Sequence, residues 1–67
     1  MKKYLFTFIW EDGCVNDYIT EYLKENKINY YYKYQEIVAD LYGTGQYFKF
    51  DYEHIAGNKY GVIAIAI

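Results

Sequence analysis

With one cysteine and one histidine in 67 residues, this chain has no disulfide partner and too few ligands for a structural zinc site. A domain this short lies near the lower limit for folding without such a staple. Its stability must come from an apolar core, from association, or from both. An aromatic share of 24% makes the core credible. Residues 1–67 read as a single small α/β domain, without repeats, linkers or low-complexity segments.

Eleven residues are tyrosine. Phe, Tyr, Ile, Asn and Lys, whose codons are AT-rich, supply 34 residues, whereas Gly, Ala, Arg and Pro supply 9. Codon bias therefore accounts for much of the tyrosine, and the residue also suits strands, burying its ring while its hydroxyl reaches water. Tyrosine as contact chemistry, rigid and amphipathic as in antibody paratopes, is the competing explanation.

The absent residue types narrow the function. There is no serine, so serine catalysis is excluded, and no arginine, so the bidentate fork that clamps phosphates and carboxylates is missing. A net charge of −2 lacks the basic footprint of a nucleic-acid binder. Met1-Lys2-Lys3 followed by Tyr4–Trp10 and Gly13-Cys14 has the outline of a lipoprotein signal. The apolar stretch is too short, however, and Glu11 and Asp12 stand where small or apolar residues belong. No run approaches membrane-spanning length, the longest being Val62–Ile67. The expectation is a cytoplasmic protein, with which an unpaired cysteine agrees.

Along the chain, Lys3–Trp10 reads as an aromatic strand broken by Glu11-Asp12-Gly13. Val15, Ile19, Tyr22 and Leu23 form one stripe of an amphipathic helix over Cys14–Asn26, with Asp12 as its N-cap and Asn26 closing it. Ile28–Tyr42 fits either one long strand or a strand followed by a short helix over its last residues. Gly43-Thr44-Gly45 favours the strand, as a three-residue hairpin loop leading into Gln46–His54. Gly57-Asn58 marks a second turn, into Tyr60–Ile67.

Pairing Tyr42 with Gln46, and closing the second hairpin on Gly57-Asn58, gathers one apolar face. That face holds Tyr30, Tyr32, Tyr34, Val38, Phe48, Phe50, Tyr52, Ile63, Ile65 and Ile67, and a one-residue slip would destroy it. The expected fold is α+β: one helix on one face of a four-stranded mixed, mostly antiparallel sheet. Its element order is β-α-β-β-β, with the strands in spatial order 1-4-3-2.

One helix covers only one side of such a sheet. The other side should carry Leu5, Thr7, Ile9, Ala39, Leu41, Tyr47, Val62, Ala64 and Ala66, interspersed with Lys49, Asp51 and Glu53. An apolar patch of that kind is covered by a second copy, in a homodimer, or by a partner protein. The candidate contact residues are Leu5, Ile9, Tyr31, Tyr47, Val62, Ala64 and Ala66.

The catalytic candidates are weaker. Cys14 and His54 are placed at opposite rims of the sheet, about 25 Å apart. Asp51 and Glu53 share a face that His54 does not. Glu11 and Asp12, with Asp40 near the same rim, resemble a carboxylate cluster but also resemble ordinary caps. Gly43-Thr44-Gly45 lacks the lysine and helix of a phosphate loop. No catalytic residue, metal or cofactor is assigned. The expected function is a non-enzymatic protein-binding module. A small phage or mobile-element protein that inhibits a host factor would suit its size, acidity and composition. The alternative is a single-stranded nucleic-acid binder using Tyr31, Lys33 and Tyr47, and the least favoured is a small enzyme at the Glu11–Cys14 rim.

Overall fold

The computed structural model describes residues 3–67; Met1 and Lys2, the head of the signal-like segment, lie outside them. The elements run β1 (Phe6–Ile9), α1 (Val15–Glu25), β2 (Asn29–Lys33), β3 (Glu36–Asp40), β4 (Phe48–Ala56) and β5 (Lys59–Ala66). One helix packs on a five-stranded sheet of order β1-β5-β4-β3-β2, in which every pairing is antiparallel.

The helix obeys its apolar stripe. Val15, Ile19 and Leu23 are buried, and Tyr22 stacks on Phe6 with ring centroids 4.2 Å apart. Its N-cap is Cys14, not Asp12, and no side-chain hydrogen bond caps it. Instead Tyr18 ties down the preceding loop: its hydroxyl donates to Asp12 O at 3.2 Å and accepts from Glu11 N at 3.1 Å. At the other end, Lys27 N donates to Lys24 O and Ile28 N to Leu23 O. That is the Schellman arrangement, which demands a left-handed residue at the position held here by Lys27, φ 56°.

Two departures from the expected sheet explain the rest. Ile28–Tyr42 is not one strand. It folds back at Tyr34-Gln35, both with positive φ (52° and 67°), and Lys33 pairs with Glu36 across them. Two left-handed residues define a type I′ hairpin, whose usual sequence is Asn-Gly. The extra strand reverses every strand direction after it, so β5 meets β1 antiparallel and the expected mixed sheet does not form.

The second departure is register. Ala56 pairs with Lys59, as the Gly57-Asn58 turn requires, but His54 pairs with Tyr60, leaving Ile55 as an extra residue. From this bulge onward Phe50 faces Ala64 and Tyr52 faces Val62, where the unbulged register would offer Ile65 and Ile63. Likewise Ala39, not Asp40, stands level with Phe48, because the Leu41–Tyr47 connection is longer than a three-residue loop. Asp40 organises it, accepting from Thr44 N and Gly45 N, each at 3.1 Å.

The core therefore joins Val15, Ile19 and Leu23 of α1 to Ile37, Ala39 and Val62 of the sheet, flanked by Phe6, Phe8, Tyr30 and Phe50. Burying a Leu or Val side chain of this kind contributes about 1.5–3 kcal/mol each.

Candidate functional site

Residues directly opposite on neighbouring strands share a face, and successive residues alternate. Val62, fully buried in the helix-side core, fixes which face is which. The sheet face turned away from α1 then carries Thr7 and Ile9 from β1, Ile63 and Ile65 from β5, Lys49, Asp51 and Glu53 from β4, Val38 from β3 and Tyr31 from β2. Three isoleucines there are well exposed: Ile9 at 54%, Ile65 at 39% and Ile67, just beyond β5, at 68%.

This placement corrects several sequence-based expectations. Val62, Ala64 and Ala66 lie on the helix side, as do Ala39 and Leu41, because the bulge and the longer loop each shift register by one residue. Ile63, Ile65 and Val38, expected in the core, stand on the open face for the same reason. Tyr34, also expected in the core, is at the hairpin tip and 88% exposed. Leu5 is half-buried in a shallow recess with Tyr42 and Ala64 rather than in the row of Thr7 and Ile9. Ile9 and Tyr31 are exposed on the open face, and Tyr47 packs on Tyr31 with ring centroids 5.5 Å apart.

The face has relief. A concavity of about 350 Å³ is lined by Val38, Ile65 and Ile67, with Lys33, Glu36 and Lys49 around it. Val38 is only 3% exposed yet takes no part in the helix-side cluster, so residues of the open face bury it. At the β1 end, the Tyr4 ring lies over Gly61, where an added Cβ would come within 2.4 Å of it. The Tyr4 hydroxyl donates to Glu53 Oε1 at 3.0 Å, so this part of the face is roofed by an aromatic ring. Gly61 was the signal for this arrangement, since glycine inside a strand marks close approach by another group.

The catalytic candidates are redistributed too. With the directions of β4 and β5 reversed, His54 comes to the same rim as the end of β1, not the opposite one: Trp10 N donates to Asn58 O, and Trp10 packs on Tyr60. His54 is engaged there, its Nε2 lying 2.8 Å from Gly57 O and its ring against Tyr60. Cys14 is exposed. Asp40 moves to the rim away from Glu11 and Asp12, and its carboxylate already serves the Thr44-Gly45 loop. Among the described residues no three His, Cys, Asp or Glu side chains converge to hold a metal ion. No helix among them is long and apolar enough to cross a membrane.

No protein-family model, no curated protein and no solved structure matches this chain.

Proposed function

We propose that this chain is a non-enzymatic protein-binding module that holds its partner on the open sheet face. The observation that carries the reading is the pair Ile65 and Ile67, exposed on the wall of a concavity that a partner's apolar side chain can fill, with Ile9 exposed at the far end of the same face. Apolar anchors in a pocket with a charged rim are the arrangement that concentrates binding energy in protein interfaces. Lys33, Glu36 and Lys49 supply such a rim with both signs of charge. The small, acidic, AT-rich composition fits an inhibitor of a host factor encoded by a phage or mobile element.

The test is the double variant Ile9→Lys/Ile65→Lys, with Glu21→Gln/Glu25→Gln on the helix as a control of equal charge change. Partners cross-linked to the wild type in cells of its own host are identified by mass spectrometry. The open-face variant should keep its circular dichroism yet lose those partners, because unpaired lysines desolvated at an interface are costly. The helix variant should retain them. An open-face variant that folds and keeps the same partners defeats the proposal.

The nucleic-acid reading draws on the Tyr31–Tyr47 pair, close to Lys33 and Lys49. It requires micromolar binding to single-stranded DNA or RNA that weakens steeply with added salt. A chain of net charge −2 without arginine is expected to show none.

A further inference from the structure

We infer that the β2 edge is a pairing strand for a second copy of this chain, joining two sheets into one of ten strands. This goes beyond the open-face reading and does not depend on it.

The argument begins at the Tyr34-Gln35 turn. In a two-residue hairpin the carbonyl of the first flanking residue accepts from the N–H of the second, so Lys33 and Glu36 form a hydrogen-bonded pair. Such pairs alternate along an antiparallel ladder. Tyr31 with Val38 and Asn29 with Asp40 are then the other bonded pairs, and the N–H and C=O groups of Tyr30 and Tyr32 point outward. Ile28 N, next in that series, is already taken by Leu23 O. β2 is the last strand of the sheet, so no described strand meets these groups.

Edges of soluble proteins are usually blunted by proline, a bulge, a mid-strand charge or a covering element. β2 has the sequence Asn29-Tyr30-Tyr31-Tyr32-Lys33, with its one charge at the end. It is also self-complementary. A twofold axis through Tyr31 opposes Tyr30 to Tyr32 of the second copy, so the outward groups satisfy one another with none left over. The same register sets Lys33 against Asn29 of the second copy, so no like charges meet. Centring the axis on Tyr30 or Tyr32 would shorten the overlap. Aromatic cross-strand pairs add to the ladder, and Tyr31 and Tyr32, 47% and 55% exposed, are available to form them. The two open faces would lie on the same side of the joined sheet.

Pairing through five residues buries less than a standard interface, so association in the micromolar range is expected. Two measurements test it. In a Cys14→Ala background, Tyr31→Cys places two thiols at a non-hydrogen-bonded pair, about 4.5 Å apart between Cα atoms, within disulfide reach. Under mild oxidation it should cross-link at least about tenfold faster than the more exposed control Tyr34→Cys, because only the former is held in register. Equal rates mean random collision and overturn the inference. Second, Tyr32→Pro removes an outward N–H without touching the β2–β3 ladder, a position where edge strands tolerate proline. By sedimentation equilibrium it should weaken self-association about tenfold or more, half of the intermolecular hydrogen bonds being lost. A folded Tyr32→Pro that associates like the wild type also overturns the inference. If it does not fold, the cross-linking ratio decides alone.

Discussion

Gly61→Ala isolates the contact that roofs one end of the open face. Gly61 lies inside β5, buried, and its φ is not in the left-handed region, so alanine meets no backbone penalty there. The obstacle is steric: the new Cβ would fall 2.4, 2.5 and 2.6 Å from Cδ1, Cγ and Cε1 of Tyr4. Those atoms belong to the body of the ring, so the whole side chain must swing away and its 3.0 Å hydrogen bond to Glu53 must break. Overpacking costs about 1–3 kcal/mol. The lost bond, to a half-exposed carboxylate, adds about 1 kcal/mol at most. In a Tyr4→Ala background the obstacle is gone and the sign should reverse, because alanine is better than glycine in a strand by about 0.5–1 kcal/mol. Urea denaturation of the wild type, both single variants and the double variant closes the cycle. A coupling of about 2 kcal/mol is expected, which in a domain this size separates melting temperatures by roughly 8–16 °C. If Gly61→Ala shifts stability equally with and without the Tyr4 ring, the roof does not exist as described.

Three further changes probe the local geometry by the same denaturation assay. Lys27→Gly should stabilise by about 1 kcal/mol, since glycine relieves the left-handed strain of the Schellman position; a loss of stability would mean that Lys27 makes a contact outweighing the strain. Tyr34→Asn with Gln35→Gly should stabilise by about 1–2 kcal/mol, because this pair prefers the type I′ turn that Tyr34 and Gln35 adopt. Cys14→Ser should stabilise by about 0.5–1 kcal/mol, as Cys14 already has the extended backbone of a cap (φ −95°, ψ 146°) but makes no capping hydrogen bond. It should also leave partner capture unchanged, and loss of capture with the fold intact would restore the thiol as a functional group.

The helix and the second hairpin were legible because their signals are local. Val15, Ile19, Tyr22 and Leu23 recur at helical spacing, and Gly57 supplies the positive φ (54°) of its turn. The first hairpin was not legible because Tyr34-Gln35 contains none of the residues that mark a turn; tertiary packing imposes left-handed geometry on two residues that resist it. That one omission propagated. It lost a strand, made the sheet mixed, set His54 at the wrong rim and brought Asp40 to Glu11. The face assignment failed separately, at the Leu41–Tyr47 loop for β3 and at Ile55 for β5. A bulge leaves the turn intact and moves every later side chain to the opposite face, and β5 is apolar on both faces, so its pattern gives no warning. Of the candidate contact residues, Ile9 has the expected face because β1 precedes both register steps. Tyr31 has it because the Tyr34-Gln35 hairpin, which sets Tyr31 opposite Val38, cancels the one-residue step of the Leu41–Tyr47 loop. Ile65 and Ile67 were missed because both lie beyond the step at Ile55.

The central claim is that the step at Ile55 turns Ile65 and Ile67 outward, onto the open face that already carries Ile9. Methyl NMR of isoleucine-labelled protein, dilute and with a soluble paramagnetic probe, reads this directly. The methyl signals of Ile9, Ile65 and Ile67 should broaden strongly, while Ile19 and Ile37, buried beneath the helix, should be protected. Protection of Ile65 equal to that of Ile37, together with exposure of the Val62 methyls in a valine-labelled sample, would put the other face of β5 outward and contradict the account.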